Sequence, residues 1–473
     1  MIFQTCVTLD RYGNNSGMAG PVQVLWGDSL IWQDEKQQYH PWLATWETSD
    51  DYLEWTFHLR DDAYFSDGTK LTAEDVAFTY DRNINAPTAV NDPISGVIQR
   101  TEVIDEHTIK FHFKAISPAA YECLYGYSII SKAAFEKNPD HYYDLPMGTG
   151  PYEITAYDPV DFKMSFAKKA DWWGWKVLGM ESNVDFIEME YVSEQATRIN
   201  ALRAGDVQII DNVSPGNFQT LLSNNLAYGV WDTLGMGLLM LNMNPGSAMS
   251  DDANLRQALS LCIDRAGIVQ SLRGGAGSVM DYPVQAGWVG YKAGTNVYRY
   301  DPKLAADLVK SSKYDGRVLN MIYRNSGESE IAQAIQAFAD AVGIKIDITL
   351  VEPATYSDML RAGNYDIGLR EWSGSCGENT KFFYEFLGQD LFNNGYGKVN
   401  PDFSAMALTL QFLNDPKKIA DTRSQLFASM AENYAPHIYM YTQFSSYAFS
   451  PNISGLQYFS AFNNIDYRMI IVN

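Results

Sequence analysis

The sequence predicts an α/β protein with mixed sheets. Three observations point there. The second half alternates strand-like and helix-like segments, as helices packed on a sheet require. Of the 473 residues, 46% are apolar and only 19% charged, which supplies a core and excludes wholesale disorder. At roughly 150 residues per domain, the length fits three domains or two large ones.

The elements follow in chain order. Asp50 and Asp51 open a turn, and Trp55, Phe57 and Leu59 then alternate as one face of a strand. Phe65-Ser66-Asp67-Gly68-Thr69 reads as a tight turn. A helix starts after it, with Thr72 as N-cap and Asp75 in the capping-box position. Thr108 to Phe113 alternates as a second strand, so His107 and His112 read as strand residues and not as metal ligands. Gly148 to Ile154 and Lys163 to Phe166 form a hairpin that ends at Asp171-Trp172-Trp173-Gly174. Asp185 to Tyr191 is a strand, Ala196 to Leu202 a helix stopped by Gly205, and Val207 to Ile210 a buried strand. Asn254 to Ile263 is an amphipathic helix. Asp301 caps a helix with Pro302 at its first position. Val318 to Tyr323 is a strand, and Glu330 to Val342 a helix ended by Gly343. The strands Ile344 to Leu350 and Tyr365 to Trp372 follow.

The charge balance is 35 − 57 = −22. Such a chain has no overall basic footprint for nucleic acid and little attraction to anionic lipid. No run of about 18 apolar residues exists to span a membrane. The first residues lack the basic and apolar regions of a signal peptide, so either a cytosolic chain or a mature chain with an added Met fits. Cys6, Cys123, Cys262 and Cys376 lie far apart without a CxxC pair. They allow two disulfides in three connectivities, or four separate thiols. HExxH, GxSxG, the P-loop pattern and GxGxxG are absent, and Gly274-Gly275-Ala276-Gly277 reads as a turn. No enzymatic constellation, cofactor site or metal cluster is legible, so the chain is read as a non-enzyme.

Several motifs recur together in one known family. They are Pro41-Trp42-Leu43-Ala44-Thr45-Trp46-Glu47, Phe57-His58-Leu59-Arg60, Phe65-Ser66-Asp67-Gly68-Thr69 with Leu71-Thr72-Ala73-Glu74-Asp75-Val76, Gly148-Thr149-Gly150-Pro151-Tyr152, Leu255-Arg256-Gln257-Ala258-Leu259 and Tyr300-Asp301-Pro302. With them the chain resembles the bacterial extracellular solute-binding proteins of family 5, the peptide-, oligopeptide- and nickel-binding components of ABC importers. The resemblance implies a two-lobed, periplasmic-binding-protein-like α/β fold of type II, cluster C, with an inserted domain. Residues 1–36, 148–235 and 446–473 would form domain I, 37–147 domain II and 236–445 domain III. Two crossing strands, near Met236 to Asn242 and Ile438 to Ser446, would be the hinge. The chain would then be extracytoplasmic, either periplasmic or a cell-surface lipoprotein, and its partners would be a solute and ABC permease subunits. It is read as a monomer.

The resemblance also implies where a ligand lies. An extended peptide would be held through main-chain groups by the loop Asn15-Ser16-Gly17-Met18 and by the strand end Arg370-Glu371-Trp372-Ser373-Gly374-Ser375, with Glu378 beyond it. Ser375 falls where peptide-binding relatives carry an aspartate for the ligand's α-amino group, and Ser329 where some carry a histidine for its carboxylate. Glu371 or Glu378 is a substitute for the missing charge, and alternation aims Arg370 and Glu371 at opposite faces. The leading ligand is a peptide; an oligosaccharide or a metal chelate is the alternative.

Overall fold

The computed structural model describes residues 2–3, 9, 19–33, 39–85, 93–114, 119–125, 127–158, 160–161, 163–179, 181–286, 288–324, 326–372, 401–410, 413, 415–456, 458–459 and 464–473. The chain divides into two compact units, Met1–Val230 with Ser445–Asn473, and Trp231–Phe444. It passes from the first to the second after Val230 and returns after Phe444.

The first unit holds two main sheets. Strand β1 (Ile2–Phe3) belongs to the larger. The smaller is antiparallel and comprises β2 (Ala44–Thr48), β3 (Glu54–Leu59), β4 (Ile98–Asp105) and β5 (Thr108–Phe113), in spatial order β2-β3-β5-β4. Trp55, Phe57, Leu59, Ile109, Phe111 and Phe113 point to its buried face, as the alternation predicts. His112 lies on the other face, where Nε2 meets Glu102 at 2.9 Å and Nδ1 lies 3.3 Å from Glu54. Burying each aromatic ring stabilises the sheet by about 1.5–3 kcal/mol.

The larger sheet continues with β6 (Tyr152–Asp158), β7 (Lys163–Lys168), β8 (Phe186–Tyr191) and β9 (Ile209–Asp211). Within the unit the order is β6-β7-β8-β1-β9, followed by Tyr447 to Phe449 of the returning chain. β1 runs parallel to β8 and β9, while β6, β7 and β8 are antiparallel neighbours, so the sheet is mixed.

The sequence motifs act as fasteners here. In the Phe65–Thr69 turn, Gly68 has φ 81°, the left-handed region that glycine enters freely. Asp67 accepts from the Thr69 backbone N–H and hydroxyl. Thr72 caps helix α2 (Ala73–Ile84), which follows α1 (Ala19–Trp26) in the chain. The Asp75 carboxylate accepts from the Thr72 backbone N–H at 3.0 Å and from the Lys132 N–H at 2.9 Å. Gly148 and Gly150 lie against the end of α1; a Cβ on them would sit 2.2 and 2.5 Å from Trp26 backbone atoms. Between them, Thr149 donates to buried Asp28, which also accepts from the indoles of Trp42 and Trp172 at 2.9 and 3.1 Å. Burial still holds the Asp28 carboxyl above the ordinary carboxylate range, against those donors and nearby Arg468.

The second unit is built on one mixed sheet. Its strands are β10 (Ala227–Leu241, shared with the first unit up to Val230), β11 (Leu319–Tyr323), β12 (Ile346–Leu350), β13 (Ile367–Trp372) and β14 (His437–Phe449, whose residues beyond Phe444 belong to the first unit). The spatial order is β12-β11-β13-β10-β14. β11 is parallel to β12 and β13, and β13 is antiparallel to β10. Leu238 to Leu241 and Ile438 to Tyr441 are buried without a break, so these segments carry no alternation.

Helices α3 (Ala253–Cys262), α4 (Pro302–Ser311) and α5 (Ser329–Ala341) pack into this unit. Asp301 caps α4 through the Leu304 N–H, and Pro302 takes its first position. The arginine of the Leu255-Arg256-Gln257-Ala258-Leu259 motif is buried and donates to the carbonyls of Met249 and Asn433. Arg265 is also buried. It donates to carbonyls of Ser260, Tyr298 and Tyr439, and burial pushes its guanidinium down to about 10. Cys262 is a buried free thiol pushed up to about 12, and Cys123 is buried as well. Cys6 and Cys376 lie outside the described residues. Among the described residues, no helix is long and apolar enough to cross a membrane.

Candidate functional site

The end of β13 is the described part of the predicted site. Glu371 sits opposite Gly237 of β10, and Trp372 opposite Met236. Gly237 is glycine because the Tyr441 ring of β14 lies on it: a Cβ there would be 2.2 Å from the ring. That approach brings the Tyr441 hydroxyl to Glu371, and it donates to Oε1 at 3.2 Å. Burial, then the Glu371 charge, hold the Tyr441 phenol well above its ordinary value. The Glu371 backbone N–H donates to Oε1 of buried Glu328 at 3.0 Å, which fixes the strand end.

Arg273 completes the group. Its Nη1 donates to Glu371 Oε1 at 2.5 Å, and its guanidinium lies 4.1 Å from the Tyr441 ring centroid and 5.1 Å from that of Phe444. The glycine-rich turn explains its position. Gly274, Gly275 and Gly277 all have positive φ. A Cβ on Gly277 would lie 2.5 Å from the Thr442 carbonyl oxygen, so only glycine lets the turn run against β14. Ser278 donates through its N–H to Thr442 Oγ1 at 2.7 Å, and the Thr442 N–H donates back to the Ser278 carbonyl at 2.8 Å. The turn carries Arg273 to Glu371.

Arg370 is buried and faces away from Glu371, as alternation predicts. Its charge bears on Tyr356 and on His437. The His437 imidazole is pushed down to about 3, first by burial and then by Arg370. Asn15, Ser16, Gly17, Met18, Ser373, Gly374, Ser375 and Glu378 lie outside the described residues, and of Trp372 only the backbone is described. The sequence reading missed Arg273, Tyr441 and Glu328. Arg273 stands 98 residues from Glu371, and its one local signal was a run of glycines already assigned to a turn.

Two compact α/β units, each containing mixed-sheet strands, are the architecture expected of a two-lobed solute-binding protein. The comparisons place the chain within it. The profile of the bacterial extracellular solute-binding proteins, family 5 Middle, matches residues 38–394, and the chain belongs to this family. It is similar to the probable D,D-dipeptide-binding periplasmic protein DdpA of Escherichia coli, 27% identical over 359 residues, which cover 73% of this chain and 67% of that protein. The glutathione-binding protein GsiB of the same organism is 27% identical over 435 residues, covering 86% and 82%. Among solved structures, the ABC transporter substrate-binding protein CtaP of Listeria monocytogenes superposes with a TM-score of 0.86 over 100% of this chain and 99% of its own, at 19% identity. That last likeness shows the fold.

Proposed function

We propose that the chain is the extracytoplasmic substrate-binding protein of an ABC importer and that its solute is a peptide. The observation that carries this reading is the family match over residues 38–394. The named relatives support the ligand class, since one is called dipeptide-binding and another glutathione-binding. The geometry adds a strand end, at Glu371 and Trp372, that is held in place and flanked by polar and aromatic groups.

The rest of the reading follows from the family. Domain I comprises residues 1–36, 148–235 and 446–473, domain II 37–147 and domain III 236–445. The ligand contacts are Asn15, Ser16, Gly17 and Met18, together with Arg370, Glu371, Trp372, Ser373, Gly374, Ser375 and Glu378. The protein works as a monomer outside the cytoplasm, in the periplasm or as a surface lipoprotein, and hands its solute unchanged to permease subunits.

Native mass spectrometry of the purified protein, followed by denaturation and analysis of the released material, tests this. A ladder of peptides is the expected result. A single defined non-peptide mass would replace the peptide with another solute.

A further inference from the structure

We propose that Arg273 is a specificity-determining residue that takes a carboxylate of the solute. The inference rests on the reading that the end of β13 faces the solute. Arg273 is planted in the protein, with its side chain only 9% exposed. One of its nitrogens, Nη1, is held by Glu371, and its guanidinium lies over the Tyr441 ring. Its Nε is buried and meets no acceptor among the described residues. An unmet buried donor on a charged group is destabilising, and an acceptor brought by a ligand relieves it.

The geometry chooses the acceptor. With Nη1 engaged, the edge of the guanidinium formed by Nε and Nη2 is the one left. Two parallel N–H donors on that edge match the two oxygens of a carboxylate. Lysine would offer a point charge without this shape, and the Tyr441 ring and Glu371 together hold the guanidinium in place. Glu371 sets the orientation and keeps the empty group neutral, so a buried cation does not wait alone. A carboxylate-bearing solute is therefore favoured over its amide or alcohol counterpart.

Isothermal titration calorimetry on the whole chain with paired probes tests the assignment. The pairs are trialanine with trialanine amide, and galacturonate with galactose. The carboxylate member of a pair is expected to bind about ten- to a hundredfold more tightly than its uncharged partner, the effect of one charged hydrogen-bonded contact. Arg273→Gln should erase that preference, and Arg273→Lys, a point charge without the paired edge, should leave only a reduced one. Equal binding of trialanine and its amide by the wild-type protein would overturn the role of Arg273 while leaving the peptide reading intact. A preference that survives in Arg273→Gln would also overturn it. Galacturonate bound over galactose, with trialanine silent, would support Arg273 and overturn the peptide reading. Silence from both carboxylates would overturn both. If Arg273→Gln does not fold, the wild-type pairs and Arg273→Lys still decide.

Discussion

Glu371 meets Arg273 and Tyr441 through a single oxygen, so its charge is countered inside the protein. It is a poor replacement for the aspartate that the family resemblance expects at position 375. Ser375→Asp should therefore strengthen binding of a free-amino peptide such as trialanine by about ten- to a hundredfold in calorimetry. Unchanged affinity would mean that no amino terminus lies at that position. His437 gives a second test at this scale. Its imidazole titrates near 3 in the fold, below the ordinary 6.5 of an exposed histidine. The unfolded chain takes up a proton below about pH 6.5 that the folded chain refuses. Stability is thus complete above that pH and is lost as pH falls towards 3, by up to about 1.4 kcal/mol per pH unit. The fall in melting temperature between pH 7 and pH 5 should be shallower in His437→Gln than in wild type. Parallel falls would assign the acid sensitivity elsewhere.

Elements were legible where one face is buried. β3 and β5 alternate, and α2, α4 and α5 carry their caps and stops within a residue or two of where Thr72, Asp301 and Gly343 put them. β10 and β14 were not read from periodicity, because Leu238 to Leu241 and Ile438 to Tyr441 are buried on both faces and alternate nowhere. The site was half legible for a related reason. Glu371 and Trp372 end a strand with a readable pattern, whereas Arg273 depends on a contact across 98 residues that no local pattern encodes. The β10–β13 pairing also makes a mutational prediction. Gly237→Ala places a methyl group where the Tyr441 ring lies, and the unit should lose about 1–3 kcal/mol to overpacking. A urea midpoint equal to wild type would show that the ring moves aside freely. Trp372→Ala, at the strand's last residue, should weaken peptide binding while leaving the melting temperature within a few degrees. A large loss of stability with unaltered affinity would make Trp372 a packing residue.

For the whole molecule, the net charge of −22 means that like charges oppose compaction. Screening shortens their reach to about 8 Å at physiological ionic strength, from about 30 Å at 0.01 M. Melting temperature should therefore rise when sodium chloride is raised from low to physiological concentration. A melting temperature that falls with salt would show that attractive pairs, such as Arg317 with Asp366 in the second unit, outweigh the repulsion. With two units, melting curves from probes in each need not coincide.

The return of the chain after Phe444 has a consequence for synthesis. The larger sheet of the first unit takes Tyr447 to Phe449 beside β9, Ser182 donates to the Ile470 carbonyl, and Arg468 lies close enough to Asp28 to act on its charge. None of these residues exists until the chain beyond Phe444 has been made, Ser182 and Asp28 aside. The second unit has all its residues by Phe444. Domains generally fold in the order in which they emerge. Here the unit that emerges first is completed only after the second has emerged, and until then it lacks the strand beside β9.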